Sequence, residues 1–477
     1  MKNKIERVRF APSPTGMMHL GNIRTALMNF LFAKQKNGTF VLRIEDTDPS
    51  RNFDKGAKKI IEDLTWLGMS YDEGPEKSGP YAPYFQSERT DLYKKTLQQL
   101  IDSELVYRCF CTNEELDKRR ARQIALKKPP RYDRACLHLS TDEIQEKLNA
   151  NTPFIWRFKL DHEKKININD LAHGQITFDL KNFSDFPLSR SDGSFTFMFA
   201  NFVDDMLMKM TTVVRGEDHL TNTAGQAALY NALNAPLPTF WHLPILCNIE
   251  GKKLSKRDFG FSLRDLKDAG FLPEALLNYL AIIGGGSFKD EIMSIDELTQ
   301  AIDFDKINAT GQVKYDVEKL KWINNKWIDR IDPMTLTEGC LPFLKTAYPQ
   351  VADMDIEKLS NILQILKTDF NTLKDSVDAV RFYFEQPTYN PELLAKFENK
   401  AQLSAIVSEL LDKTTDDKTF TNLAKQKAKE HGISIKNMFS FIRVGLMGSI
   451  QGPSIHDMLA VLGAQESQKR LKNLISS

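Results

Sequence analysis

Residues 7 to 46 leave few folds open. "VRFA" reads as a short strand and "PSPTG" as a turn-rich loop. "NIRTALMNFLFAKQKNG" reads as a helix, because Ile23, Ala26, Leu27, Phe30 and Leu31 recur at i, i+3, i+4, i+7 and i+8 on one face. Asn37-Gly38 stops that helix and "TFVLRIED" supplies a second strand. Strand, helix, strand in so short a span is a βαβ unit, which demands a parallel sheet crossed by a helix and points to the α/β class.

At 477 residues the chain exceeds one ordinary core, so two to four domains are expected. Helices are expected from about Asp54 to Leu67, Asp91 to Ser103, and 222 to 233. From Val106 to about Asn182 cysteines, basic residues and short alternating segments such as "FIWRFKL" indicate an α+β insertion. Buried strands are expected to return at "FTFMFANFVDD", "TTVVRGED" and "FWHLPIL", and beyond Pro273 the patterning is helical. No apolar run is long enough to span a bilayer, and "MKNKIERVRF" lacks the apolar stretch of a signal peptide, so a cytoplasmic protein is expected. Five cysteines suggest metal binding or burial rather than a disulfide framework. A net charge of +1 neither supports nor excludes a nucleic-acid partner, and local clustering decides.

Two stretches carry chemistry. "HLGN", residues 19 to 22, lies where the first strand hands over to its helix. A helix N-terminus offers free N–H groups and partial positive charge to phosphates, and His19 would add a donor. Gly21, lacking a Cβ, would let a flat base approach the backbone. The plainer alternative is a His that caps a loop and a Gly that serves a tight turn. "GKKLSKRD", residues 251 to 258, gathers Lys252, Lys253, Lys256 and Arg257 around a Ser, suiting a triphosphate or merely forming a solvated basic loop.

Together with "LRIEDTD", "DEGPEKSGPYAPYFQSER", "VVRGEDHLTNT" and "GFLPEALLNYL", these stretches come in the order of a bacterial-type glutamyl-tRNA synthetase, a class I aminoacyl-tRNA synthetase. The resemblance is strong over about 7–330 and looser beyond. It implies a class I Rossmann-type catalytic domain in two halves (1–105 and 195–250) around an acceptor-end-binding insertion (106–194). A helical stem-contact region with the "KLSKR" loop (251–330) and an all-α anticodon-binding domain (331–477) follow. "HLGN" resembles the family's variant of the His-x-Gly-His signature, with Asn22 in place of the last His. The resemblance implies ATP-dependent attachment of L-glutamate to tRNA(Glu) through a glutamyl-adenylate. It assigns His19, Lys253 and Lys256 to catalysis, and Gly21 and Asp218 with them to ATP, which brings Mg²⁺. It assigns Arg9, Ala11, Ser13, Glu45, Asn201 and Arg215 to glutamate, where ordinary ion pairs and a capping Ser are the plainer readings. Phe197 stands where the family presents a substrate-facing Tyr, so the wall remains but a hydroxyl is missing.

Cys109-x-Cys111, twenty-four residues, then Cys136-x-His138 offers three thiolates and an imidazole in two close pairs. Such a set can enclose Zn²⁺ in a closed structural site, although the spacing alone also fits buried free thiols. The same arrangement in some bacterial relatives implies structural zinc. Between the pairs lie Lys118, Arg119, Arg120, Arg122, Lys127, Lys128, Arg131 and Arg134, which suit the phosphates of a tRNA acceptor end.

In some members of this family an Arg before a Phe, in a stretch like "LKTDFNTLKD", rejects glutamine tRNA. Here that place holds Asp369, so charging of tRNA(Gln) is expected as a second activity. A monomer is expected. A truncated relative that glutamylates a modified tRNA base lacks the helical third. A glutaminyl-tRNA synthetase would need strands there, a small-molecule nucleotidyltransferase would need neither insertion nor appendage, and a non-catalytic relative would be expected to lose His19 or the lysines.

Overall fold

The computed structural model describes residues 5–48, 50, 52–77, 79–255, 257–283, 288–304, 306, 311–413 and 417–477. The chain divides into two compact units, Met1–Asp265 with Leu277–Val317, and Leu266–Leu276 with Glu318–Ser477.

In the first unit β1 (Arg7–Phe10), α1 (Leu20–Gln35) and β2 (Thr39–Leu42) form the expected βαβ unit. β1 and β2 pair in parallel from Arg7↔Thr39 to Phe10↔Leu42. α2 (Lys58–Trp66) and α3 (Thr90–Asp102) follow, close to where periodicity puts them. The segment after them contains β3 (Val106–Cys109), α4 (Asn113–Ala125), α5 (Thr141–Asn149) and β4 (Ile155–Phe158), with β3 and β4 antiparallel. β5 (Lys165–Asp170) and β6 (Gly174–Asp179) form a hairpin. α6 (Phe197–Leu207), β7 (Thr212–Gly216), α7 (Leu220–Ala232) and β8 (Thr239–Leu243) follow. β7 and β8 are parallel, so β7–α7–β8 is a second βαβ unit, and β5 joins β8 to give the sheet order β6-β5-β8-β7.

The strand expected over "FTFMFANFVDD" is instead the helix α6. Phe195, Phe197 and Phe199 alternate as in a strand, and this short-range pattern masks the helical spacing that follows. Thr196 is extended at its N-cap, and Phe199, Phe202 and Val203 recur at i, i+3 and i+4. They enter one core with Leu97 and Leu100 of α3, Val213, Phe240, and Ile166 and Ile168 of β5. Burying a side chain of this size contributes about 1.5–3 kcal/mol. Tertiary packing therefore selects the helix.

β5 alternates exposed and buried, Lys165 out, Ile166 in, Asn167 out, Ile168 in, Asn169 out. Its last inward position is a carboxylate, Asp170, which must find donors there.

The second unit is helical, as expected. Its helices include Pro333–Ala347, Ile356–Leu366, Lys400–Lys413, Asp417–Glu430, Ile435–Met447 and Ile455–Ile475. Leu336, Leu363, Leu366 and Phe370 are buried in it, as are Val407, Phe441, Ile442 and Leu474. Asp369 is exposed, and Arg443 lies near enough for the two charges to interact. Among the described residues no helix is long and apolar enough to cross a membrane.

Candidate active site

His19 caps α1. Its Nδ1 accepts the N–H of Asn22 at 3.3 Å, and the Asn22 Oδ1 accepts the His19 N–H at 3.3 Å. The plainer reading of "HLGN" is thus part of the answer, and it sets the chemistry. With Nδ1 accepting, the neutral imidazole carries its proton on Nε2, leaving that N–H for a ligand. Burial first, and then the Lys253 charge, push the His19 pKa below its ordinary value, with Asp218 opposing. The ring stacks on Phe261 at 5.1 Å. A Cβ at Gly21 would come within 3.1 Å of the imidazole Cε1, so the glycine makes room for His19 itself.

The structure brings the two sequence motifs together. Leu20 N–H donates to the Phe261 carbonyl at 3.0 Å and Leu263 N–H to the Met18 carbonyl at 3.0 Å. The turn after "KKLSKRD" is therefore joined to the mouth of α1. Lys253 reaches Asp218, Nζ to Oδ2, at 3.5 Å, and both side chains are exposed. Lys256 lies outside the described residues.

Of the expected glutamate residues, Arg9, Glu45 and Asn201 are buried and linked to one another through Asp205 and Arg43. Arg9 holds Asp205 by two parallel bonds, 3.0 Å from Nε and 3.2 Å from Nη2, and its Nη1 donates to the Val214 carbonyl at 3.0 Å. A guanidinium has five N–H groups. Two of those on Arg9 are left without a partner among the described residues.

Glu45 Oε1 accepts from Asn201 Nδ2 at 2.6 Å and from Arg43 Nη2 at 3.1 Å. Asn201 in turn accepts from Gln226 at 2.9 Å. Burial raises the Glu45 pKa, with Arg43, Asn201 and Arg9 pulling it down. Ala11 is half-buried and Ser13 exposed in the loop whose Pro12 carbonyl accepts the Glu45 N–H at 3.0 Å. Phe197 opens α6 and leans on His219, ring centroids 5.6 Å apart.

Arg215 is 6% exposed, yet its partners are the Thr223 hydroxyl (2.6 Å) and His242 Nε2 (3.3 Å), not an acid. Burial, then the neighbouring Arg9 charge, push its pKa down to about 9. Tyr230, on the same stripe of α7 as Thr223 and Gln226, buries a hydroxyl with no partner among the described residues.

Sequence reasoning missed several members of this network. Arg43, wholly buried, ties Glu45 to Asp204 and Asp205. It stands inside "LRIED", and a cation within a strand of apolar neighbours was the available signal. His242 and Asp170 carried no signal, since 72 residues separate them.

Cys109, Cys111 and Cys136 bring their sulfurs within 4.8 Å of one another. His138 is exposed and lies outside that group. The Tyr132 hydroxyl is there instead, 3.3 Å from Cys109 Sγ and accepting the Cys136 N–H at 3.0 Å. Three thiols and a phenol fit a small, thiophilic cation. In the basic segment Lys118 pairs with Glu114, Arg119 with Asp133, Arg120 with Asp117 and Arg134 with Asp185, so much of its charge has local partners.

Paired βαβ units thus carry an imidazole at the first helix mouth with a lysine loop joined to it. Residues 6–322 match the family model for tRNA synthetases class I (E and Q), catalytic domain, and residues 335–475 match an anticodon binding domain. The chain is 38% identical over 477 residues to a glutamate–tRNA ligase of Aquifex aeolicus, covering 98% of each. It is 36% identical over 488 residues to one of Bacillus subtilis, covering 99% of this chain and 100% of that one. A crystal structure of a glutamate tRNA ligase from Elizabethkingia meningosepticum, in complex with its amino acid, superimposes with a TM-score of 0.87. That match is at 32% identity and covers 99% of this chain and 100% of the other. The chain belongs to the glutamate–tRNA ligase family.

Proposed function

We propose that this chain attaches L-glutamate to tRNA(Glu) in two steps on one site. An oxygen of the glutamate α-carboxylate attacks the ATP α-phosphorus. The bond to the bridging oxygen breaks, and pyrophosphate leaves with its electron pair. A hydroxyl of the terminal adenosine then attacks the acyl carbon and gives up its proton, and AMP leaves. No protein nucleophile takes part, so the chain's task is positioning and charge stabilisation.

Arg215 carries this reading. A buried cation without a counter-ion is costly, and a carboxylate from the substrate would supply one. Arg9, with two N–H groups to spare, suits the same ligand. Glu45 and Asn201, near Ala11 and Ser13, receive the ammonium end, and Phe197 serves as wall. The Nε2–H of His19, with Lys253 and Lys256, bears on the ATP phosphates, while Gly21 and Asp218 border the nucleotide. Mg²⁺ enters with ATP as part of that substrate.

Cys109, Cys111 and Cys136, with Tyr132 beside them, would hold Zn²⁺, which when bound cross-links the two ends of the basic segment that meets the acceptor end. The helical residues 331–477 read the anticodon. Asp369 lacks the guanidinium of a discriminating site, so tRNA(Gln) is a second acceptor. The protein works as a monomer in the cytoplasm.

Charging of purified glutamate and glutamine tRNAs, side by side, tests this. Both should be glutamylated. Charging of tRNA(Glu) alone would discard the reading of Asp369, and charging of neither by folded, metal-loaded protein would overturn the whole.

A further inference from the structure

Arg9 and Arg215 are gripped by the same edge of the guanidinium, Nε and Nη2, but by opposite kinds of partner. Behind Arg9 stands the Asp205 carboxylate. Behind Arg215 stand the Thr223 hydroxyl and the His242 ring. We infer that Asp170, His242 and Thr223 form a positioning chain that holds Arg215 with neutral acceptors, so that its charge stays available to the substrate carboxylate. This rests on the glutamate-pocket reading given above.

The protonation states follow from counting donors. Asp170 Oδ2 takes both the His242 backbone N–H (3.1 Å) and His242 Nδ1 (2.6 Å). A carboxylate only accepts, so Nδ1 carries the proton and the Nε2 of a neutral ring is a lone pair. That lone pair faces Arg215 Nε at 3.3 Å and Thr223 Oγ1 at 2.9 Å. Thr223 Oγ1 already accepts from Arg215 Nη2 at 2.6 Å, so its own proton goes to Nε2 at 2.9 Å, the nearer of its two acceptors, the His219 carbonyl lying at 3.3 Å. A second proton on the ring would aim N–H at N–H. Burial pushes the His242 pKa below its ordinary value, with Asp170 opposing, which agrees with a neutral ring. The other Asp170 oxygen is filled by the Ala172 N–H, the His173 N–H and His173 Nδ1, each at 2.9 Å, so the carboxylate cannot turn away.

The arrangement separates two jobs that a single carboxylate would merge. Asp205 orients Arg9 and also neutralises it. Here Asp170 sits one ring further back, and it fixes the tautomer of His242 while leaving Arg215 without an ion pair. Phe240 closes the side, stacked on His242 at 5.8 Å and lying 5.6 Å from the Arg215 guanidinium carbon. Asp170 is the last inward position of β5, whose only register pair with β8 is Asp170↔Phe240, so the fold itself delivers the carboxylate to this place.

The test is kinetic. Thr223→Val, Thr223→Ser, His242→Phe and Arg215→Gln are compared by aminoacylation of tRNA(Glu), with KM measured separately for glutamate and for ATP. Losing a hydrogen bond to a charged group should raise the glutamate KM about ten- to hundredfold in Thr223→Val and His242→Phe, with the ATP KM within about twofold of the parent. Thr223→Ser, which keeps the hydroxyl, should return the glutamate KM close to the parent value. A buried His→Phe change can cost the fold, and then the Val and Ser pair decides. The inference is overturned if Thr223→Val leaves the glutamate KM unchanged while Arg215→Gln raises it, a result that spares the pocket. It is equally overturned if both KM values rise together or Ser fails to rescue, since a merely structural role does that. If Arg215→Gln leaves the glutamate KM unchanged, the pocket reading itself falls and this inference with it.

Discussion

Asp205 takes the Nη1–H of Arg43 on Oδ1 at 2.6 Å, and the same oxygen takes the Nε–H of Arg9 at 3.0 Å. One buried carboxylate thus compensates two buried guanidiniums. Arg9 lies on β1 and Arg43 directly follows β2, its parallel neighbour, so the carboxylate stands between two close cations.

Asp205→Asn keeps the shape and removes that compensation. Breaking a buried pair from one side costs about 3–5 kcal/mol, because the remaining charge stays buried. The variant should therefore show a clearly lower denaturant midpoint than the parent. A midpoint unchanged within error would mean that Arg9 and Arg43 do not depend on Asp205.

Arg9→Lys addresses the substrate side of the same pair. An ammonium is a point charge and cannot hold Asp205 by two bonds while presenting a fork to a second carboxylate. The glutamate KM should rise by about tenfold or more, with the ATP KM little changed. Equal changes in both would argue that Arg9 only supports the fold.

His19 does two things that one pair of variants can separate. His19→Ala removes the cap, worth roughly 1 kcal/mol, as well as the Nε2–H donor. His19→Asn restores a good capping residue but no donor in that place. If the donor stabilises charge on the ATP phosphates, both variants should lose about a hundred- to thousandfold in kcat, with the stability loss confined to Ala. Full activity in His19→Asn would reduce His19 to a cap.

The motifs that proved readable in the sequence are those whose parts are adjacent. "HLGN" and "KKLSKR" each carry their chemistry within a few residues, and the structure joins them through Leu20 and Leu263. The βαβ unit was readable because apolar residues recur at helical spacing between two strand-like runs, and α6 was not because Phe195, Phe197 and Phe199 alternate as they would in a strand. The partners of Arg9, Arg43 and Arg215 lie from 2 to 205 positions away, and local pattern cannot show which acid meets which cation. The cysteine spacing pointed to the cluster, but in the structure the group beside the three sulfurs is Tyr132 rather than His138. His138 follows the pattern of the second pair, whereas Tyr132 reaches the sulfurs because the chain turns between Tyr132 and Cys136, whose N–H bonds the Tyr132 hydroxyl.

That difference can be measured. His138→Ala should keep the metal content of the parent protein, Tyr132→Phe should lower it, and Cys136→Ala should abolish it, as read by elemental analysis after dialysis. Loss of metal in His138→Ala with retention in Tyr132→Phe would reverse the assignment and restore the imidazole as fourth ligand. Metal removal by a chelator should leave the glutamate KM near its parent value, because the cluster is built from the end of β3 and the segment after it, and not from the residues around Arg9 and Arg215.

Acid should expose Asp170. Burial alone would raise its pKa, but the hydrogen bonds from His242 and His173 outweigh that and hold it at about 2, against an ordinary 3.8. A group whose pKa is depressed in the fold stabilises it above the unfolded value and loses that contribution as pH falls toward the folded one. The window is therefore about pH 4 down to pH 2, and nearly two pK units correspond to about 2 kcal/mol. His242, also held below its ordinary value of 6.5, acts earlier. The unfolded chain takes up its proton as pH falls below 6.5 while the folded ring stays neutral, so some stability is already lost by pH 5. Asp170→Asn cannot titrate, and its amide must turn a donor toward at least one of the N–H groups that the carboxylate accepted. It should be less stable than the parent at pH 7, and the gap should narrow by about half at pH 3 in denaturant titrations. A gap that stays constant from pH 7 to pH 3 would show that Asp170 is not held ionised by His242, and that the tautomer of that ring is set by something else.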